Sequence, residues 1–397
     1  MRFAALSLLA LVACSGEQPQ AARAAVHDER HELGALGYVS YAEEVADPSE
    51  AGVTLRDAGR SQPGYDLVTS IPRRIVELLD PAGAVVRRWK VGRGTRISRA
   101  ELVAGGDLVV VGAELASEAP PEARGRGGLP GGQVGFVARL GPNGRELWRR
   151  HLDAHHDVEP LADGRIAVLT SMRRRVEHDG EERWIRDDAV AVLSASGELL
   201  EERSVYDLLR AHDGFAFAPV PEKFAEDAED LLHTNSLDWP APDRLLLSVR
   251  NQCALALVDW TRGEVVRTWG RGELELQHEA TLVRGDRVLL FDNGGLERDF
   301  SRLVEVDLAR GEITWQWSAT PPESFFSEAR GTVQPLANGN ALVANSNSGE
   351  AFEVTRDGDV VWRYLSPHLN AQGRRATIRI ARYEASFVEA LLAVADR

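Results

Sequence analysis

Three histidines open successive copies of one strand-turn-strand pattern: His156-Asp-Val-Glu, His233-Thr-Asn-Ser and His278-Glu-Ala-Thr. An imidazole near neutral pH can ligate a metal, move a proton or attack an electrophile. In the His233 copy the second strand closes on Leu245-Leu-Leu-Ser-Val-Arg250-Asn. Antiparallel strands share their open ends, so Arg250 lies beside His233. The equivalent positions of other copies are Ser171, Asn293 and Ser346, and Asn235 stands two residues beyond His233. The spacing predicts three imidazoles, a guanidinium and small polar groups around one opening.

Two chemistries fit such an opening. Three histidines can hold zinc or copper and leave a position for water. A guanidinium beside that cation is repelled by it, so Arg250 weighs against a metal. Neutral imidazoles with an arginine suit a tetrahedral oxyanion instead. One histidine attacks, the arginine holds the oxygens, and another histidine handles the leaving-group proton. Sulfate esters and phosphate monoesters share that shape, and the lack of an accompanying carboxylate cluster for metal ions favours the sulfate. The expectation is a site without metal or cofactor. A metal-dependent hydrolase or lyase using the same three histidines, and a non-catalytic envelope scaffold, are the alternatives. Arg250 could also be an ion-pair partner of Asp292 or Glu279. A one-residue slip would exchange His156 with His155. The histidines at 27, 31, 151, 178, 212 and 368 lack the register and are expected in surface roles.

The elements that position these residues are repeats. An apolar strand, a turn with glycine and a further strand, often ending in tryptophan, recur with the glycine at 83, 144, 197, 263, 311 and 358. Asn-Gly, Ser-Gly, Arg-Gly and Asp-Gly between alternating strands are hairpin signals, because glycine supplies the positive φ of such turns. The histidine-led hairpin precedes this one in each unit. Two hairpins per unit make four strands, the blade of a propeller, whose innermost strand lines a central channel. The glycine intervals are 61, 53, 66, 48 and 47 residues. A four-stranded blade needs about 40 to 50, so the longer intervals carry insertions. One insertion is the Gly/Pro-rich stretch 114–133. The other, 205–232, contains Phe-Ala-Glu-Asp-Ala-Glu-Asp-Leu-Leu, which reads as a short amphipathic helix. It is placed either as a lid over His233 or as a solvent-facing decoration. The tail has helical spacing at Ile378, Tyr383, Phe387, Leu391 and Val394, which predicts a closing helix over 376–397. The fold class is all-β: a six-bladed β-propeller over 61–370 with a short C-terminal helix in the tail 371–397.

The first residues read as an export signal, with Arg2, an apolar run over 3–12, and Leu11-Val12-Ala13-Cys14 in the form of a bacterial lipobox. Residues 1–14 would be the signal, Cys14 the lipidated residue, and 15–60 a tether and lead-in. Ser15 favours outer-membrane retention, so the lipid would hold the protein in the cell envelope, facing the periplasm. Cys253 is the second of two cysteines, so no disulfide framework holds the fold. With 44% hydrophobic residues the chain can bury a large core without one. The net charge of −15 argues against nucleic acid as a partner.

The segments His155-His156-Asp157-Val158, His233-Thr234-Asn235-Ser236, Ser248-Val249-Arg250-Asn251, Gln277-His278-Glu279-Ala280 and Phe291-Asp292-Asn293-Gly294 resemble the bacterial arylsulfotransferases. These enzymes move sulfuryl groups between phenols without the nucleotide donor PAPS. The resemblance runs over residues 66–364. It implies His278 as a nucleophile that forms a sulfohistidine, with His156, His233 and Arg250 around the sulfuryl group; Asn235 and Asn293, at the same mouth by their register, are expected to bind substrate. An aryl sulfate donor, a phenolic acceptor and ping-pong kinetics would follow. Glu279 adjoins the implied nucleophile, and an anion there would raise the imidazole's pKa.

Overall fold

The apolar strands are buried along most of their length, and the described strands form six antiparallel sheets of four or five strands and one two-stranded sheet. The computed structural model describes residues 40–395 apart from 93, 95, 126–128, 130–131 and 228. Cys14 and the rest of the expected signal and tether up to residue 39 lie outside the described residues, as do His27 and His31.

Blade 2 runs outward from Arg96–Leu102 through Leu108–Leu115 and Gln133–Leu140 to Glu146–His151. Blade 3 follows with Ala154–Pro160, Ile166–His178, Glu181–Leu193 and Leu199–Ser204. Blade 4 comprises Thr234–Ala241, Arg244–Val249, Ala254–Asp259 and Glu264–Trp269. Blade 5 comprises His278–Arg284, Arg287–Asp292, Arg302–Asp307 and Glu312–Trp317. Blade 6 has Thr332–Pro335, Ala341–Asn345, Glu350–Val354 and Val360–Leu365, with Gly52–Arg56 as a fifth, outermost strand. Blade 1 takes its innermost strand, Ile378–Tyr383, from the far end of the chain and continues with Tyr65–Ser70, Ile75–Leu79 and Val85–Lys90.

The fold class agrees with the sequence, but the ends differ from the expected boundaries. The ring closes on Ile378–Tyr383, so the propeller runs past residue 370, and the helix occupies only Ala385–Ala395. Ile378 and Tyr383 count into the helical spacing read from the sequence, but Ile378-Arg-Ile380 alternates as a strand does, and full pairing with Tyr65–Ser70 makes it one. The expected lead-in also carries strands: Tyr41–Val45 pairs with Arg374–Ala376, and Gly52–Arg56 pairs with Val360–Leu365.

The recurrent glycine and tryptophan have a shared cause. All six turn glycines have positive φ, between 69° and 97°. The tryptophan ending a blade's outer strand donates its indole N–H to a turn carbonyl of the next blade: Trp89 to Gly141 at 3.2 Å, Trp148 to Ala195 at 3.1 Å, Trp269 to Gly311 at 3.2 Å and Trp317 to Gly358 at 3.3 Å. A Cβ on Gly197 would stand 2.8 Å from the Trp148 ring, so glycine serves both turn and latch there.

Near the axis, side chains of one inner strand accept backbone N–H groups from the next. Asp157 takes Leu237 N at 3.0 Å, Ser236 takes Ala280 N at 3.0 Å, and Gln334 takes Arg382 N at 2.7 Å. Between blades the apolar faces interdigitate, as where Leu169, Val190 and Val192 meet Trp239, Leu245 and Leu247. The closing strand is further held by Arg382, whose guanidinium meets Asp66 at 2.7 Å and Glu353 at 2.5 Å with all three side chains buried.

Candidate active site

The mouth residues sit where inner strands begin, and each beginning is distorted. Pairing is irregular between Ala154 and Val158, between Thr234 and Ser236, and between His278 and Thr281. The distortions put non-glycine residues in the left-handed region, with φ of 54° at His156, 48° at His233 and 45° at Glu279. Such residues cost about 1–3 kcal/mol each and persist where the surroundings over-determine them.

These bulges correct the register read from the sequence. In blade 3 the left-handed residues are Asp153 and His156, and in blade 5 they are Leu276 and Glu279, three apart in both. Matched on these pairs, His278 corresponds to His155, and Glu279 to His156. His233 corresponds to Asp153, because Arg250 N bonds to His233 O as Ser171 N bonds to Asp153 O. The three histidines therefore come from three different positions of the blade. They still share one mouth: the His156 and His233 rings lie 4.9 Å apart edge to face, and the His156 imidazole feels the charges of both His233 and His278. Arg250 and Ser346 are equivalent as expected, each opening a three-residue 3₁₀ turn that ends in a left-handed residue.

His278 is buried, and its Nδ1 faces two acceptors, Asn293 Oδ1 at 2.8 Å and Leu276 O at 3.1 Å. The Asn293 amide cannot be turned round, because its Nδ2 donates to Ser327 O at 2.6 Å and to Arg330 O at 2.5 Å. The ring proton is thus held on Nδ1, and Nε2 keeps its lone pair. Burial and the adjacent Arg250 charge, reinforced by Arg379 and His233, hold the imidazole well below its ordinary pKa despite the Asn293 hydrogen bond. His156 is likewise held low, by burial and then by His233, His155 and His278.

His233 has a different environment. Its Nδ1 lies 2.5 Å from Asp230 Oδ2. Burial would raise the Asp230 carboxyl, but His233, Arg186 and Arg250 outweigh it and bring the pKa to about 2. An ionised carboxylate therefore fixes the ring with Nε2 outward. His156 Nδ1 meets His155 Nδ1 at 2.7 Å, and His155 Nε2 lies 3.3 Å from Asp188 Oδ1.

The suggested ion-pair partners of Arg250 are engaged elsewhere. Asp292 is held by Arg298 and Arg302 at 2.8 Å each. Glu279 turns away from His278 into the channel, where Arg99 and, at 3.1 Å, Arg379 clamp it. These two guanidiniums keep Glu279 ionised against its burial. The expected rise in the His278 pKa from Glu279 is not what the surroundings produce, since its charge is neutralised locally. Arg250 Nη1 instead donates to Asn251 Oδ1 at 2.9 Å, and its guanidinium carbon stands 4.2 Å from the centre of the Phe224 ring. Below the mouth the channel widens into a cavity of about 190 Å³ lined by Arg99, Glu101, Asp157, Asp238 and Glu279 among others.

Asn293 and Asn235, expected to meet substrate, both engage protein groups. Asn293 orients His278, and Asn235 Nδ2 braces Gln277 O at 2.8 Å, one residue before it. Several of the histidines expected at the surface have structural partners: His178 is buried against the Tyr206 hydroxyl at 3.1 Å, His151 meets Glu114 at 2.7 Å, and His368 meets Glu77 at 2.8 Å. Asp230, Arg379 and Phe224 were missed. The Asp-x-x-His spacing ahead of His233 was the available signal for the first. Among the described residues no group of three or more His, Cys, Asp or Glu side chains is arranged to hold a metal ion.

Residues 128–366 match the family model described as arylsulfotransferase (ASST). No curated protein matches the chain. Among solved structures, a protein of unknown function from Bacteroides caccae is 13% identical, with a TM-score of 0.51, covering 81% of this chain and 100% of that one. A virginiamycin B lyase from Staphylococcus aureus is 10% identical, with a TM-score of 0.46, covering 85% of this chain and 94% of that one. At 13% identity the first of these likenesses is one of fold alone.

Proposed function

We propose, for a chain that belongs to the arylsulfotransferase family, that His278 carries a sulfuryl group from an aryl sulfate ester to a phenolic acceptor in two half-reactions. The observation that carries this reading is the Asn293-locked tautomer of His278, which leaves a buried, uncharged Nε2 beside Arg250. In the first half-reaction Nε2 attacks sulfur, the N–S bond forms and the S–O(aryl) bond breaks. Arg250 offsets the charge on the sulfonate oxygens, and a proton from Nε2 of His233 neutralises the departing phenolate. In the second, Nε2 of His233 takes the acceptor's phenolic proton as its oxygen attacks sulfur and the N–S bond breaks. Asp230 balances the charge that His233 gains. His156 fills the third side of the mouth as a neutral group.

Arrangement of these groups around a transferable oxyanion needs no cofactor from the residues present. The test is steady-state transfer with an aryl sulfate and a second phenol, each varied at several levels of the other. Parallel double-reciprocal lines that vanish in His278→Asn support the reading. Intersecting lines, or retained transfer in that variant, reject it.

The lipobox supports a further part of the reading: acylation at Cys14 and retention in the cell envelope, facing the periplasm. Incorporation of labelled fatty acid that is lost in Cys14→Ala tests it, and equal labelling of both forms would reject it.

A further inference from the structure

The blade-4 side of the mouth is built up by the insertion 205–232, which forms the helix Val205–Ala211 and, where the sequence suggests an amphipathic helix, the 3₁₀ turn Glu222–Asp227. The side facing it across the axis belongs to blade 1, opposite blade 4 in a ring of six. The inner strand of blade 1, Ile378–Tyr383, carries Arg379 one residue in from the mouth, just as Glu279 is one residue in from the start of its own strand. The cavity below the mouth is lined on the blade-1 strand by Ile380 to Tyr383, and elsewhere by Arg99 and Glu279, but not by Arg379. Arg379 therefore stands on the mouth side of the Glu279 clamp, and both His278 and His156 feel its charge.

This guanidinium is buried, with 6% of its side chain exposed, yet poorly compensated. Arg382, three residues on, holds Asp66 and Glu353, and Arg99 holds Glu279, Glu101 at 2.6 Å and Asp157 at 3.3 Å. Arg379 meets one carboxylate, Glu279 at 3.1 Å through Nη1, and shares it with Arg99. Burial accordingly holds the Arg379 pKa below its ordinary value, whereas the carboxylates around Arg99 and Arg382 raise theirs against burial. Its Nε and Nη2 have no partner among the described residues, and they are not sealed from solvent. Buried cations are stable where they are paired and their N–H groups are met. A shared carboxylate and unused donors leave Arg379 able to take a second anion, and a guanidinium fork matches the oxygens of a tetrahedral one.

We propose that Arg379 is a second sulfonate-binding residue, which takes oxygens of the sulfuryl group from the blade-1 side of the mouth while Glu279 positions its guanidinium. This rests on the arylsulfotransferase reading for the identity of the anion, and its test does not require turnover.

The rival role is local: Arg379 neutralises Glu279 and never touches substrate. Calorimetric binding of benzenesulfonate, which cannot be transferred, separates the two roles in the full chain, compared as wild type, Arg379→Gln, Glu279→Gln and the double variant. Direct binding predicts that Arg379→Gln weakens benzenesulfonate about 10- to 100-fold, the scale of a hydrogen bond to a charged group, and that the loss persists when Glu279 is already glutamine. Neutral benzenesulfonamide should bind all four proteins alike. Arg379→Lys keeps the charge without the fork; it covers a failure of the glutamine variant to fold, and should lose part of the sulfonate affinity in both Glu279 backgrounds. A loss that vanishes in the Glu279→Gln background, equal losses for sulfonate and sulfonamide, unchanged affinity in the Arg379 variants, or no binding of benzenesulfonate by wild type each overturns the proposal. Absence of sulfuryl transfer in wild type, with sulfonate binding lost as expected in the Arg379 variants, would reject the catalytic reading and leave the anion site standing.

Discussion

His278 Nδ1 and Asn293 Oδ1 are 2.8 Å apart, and the amide that fixes this pair is pinned by two backbone carbonyls. Removing the acceptor should therefore alter the nucleophile and not only its surroundings. In Asn293→Leu the donor half-reaction is expected to slow about 10- to 100-fold, the usual effect of losing an orienting partner. Because the Asn293 hydrogen bond raises the His278 pKa, its loss should move the acid limb of the rate profile to lower pH. Rapid-mixing measurement of phenol release against pH checks both, and an upward shift would be incompatible with the assignment.

The acid limb in the unaltered protein is a separate prediction. An ordinary imidazole is half protonated at 6.5, and the folded-state value of His278 lies well below that. The lone pair is thus present at pH 6.5 and is lost only as the pH falls through the lowered value. Single-turnover phenol release should keep its rate from pH 7.5 to pH 6. A half-loss centred near 6.5 would show that His278 titrates like a solvated group.

Asp230 and His233 should behave as a unit. Asp230→Asn is expected to lower kcat for transfer about 100-fold, since proton handling by a positioned group is worth about 10²–10⁴ in rate. Its effect should be far smaller in the double variant with His233→Ala, which a purely structural role would not produce. The pairing also has a stability signature. The Asp230 pKa falls from 3.8 to about 2, so its stabilisation is complete above about pH 4 and disappears as the pH falls through 2. Acid unfolding followed by fluorescence should show the wild type losing its advantage over Asp230→Asn as the pH falls from about 4 to about 2, and coincident curves would exclude the pair.

Ring closure rests on Arg382. Replacing it with methionine leaves Asp66 and Glu353 buried without their cation, and should cost about 3–5 kcal/mol in denaturant unfolding. A chain ending at residue 377 lacks the innermost strand of blade 1 and should not give a cooperative transition. One ending at residue 384 loses only the helix with its buried Val388 and Leu391, and should remain folded with reduced stability.

The repeat was legible because each copy carries its own hairpin glycine, and often the tryptophan that latches it to the next blade. The closing strand was not, because its partner lies some three hundred residues away and Ile378 and Tyr383 run on into the apolar spacing of the helix that follows. The histidine cluster and Arg250 could be seen as a set, since pseudo-symmetry brings the starts of inner strands together. Their register could not, because bulges at Ala154–Val158, Thr234–Ser236 and His278–Thr281 shift each blade by a different amount. Glu279 was misjudged for a related reason: Arg99 and Arg379, from blades 2 and 1, neutralise it across the channel, and no local pattern points to them.

The most direct test is of the covalent intermediate. Wild-type protein and His278→Asn are quenched within the first turnover of an aryl sulfate without acceptor, digested at alkaline pH, and sequenced by mass spectrometry. A sulfuryl group on the imidazole of the peptide containing His278, absent from the variant and discharged by added phenol, is the expected result. Phenol release from the wild type with that peptide unmodified, or an adduct on His156 or His233 in its place, would contradict the assignment of His278 as the carrier.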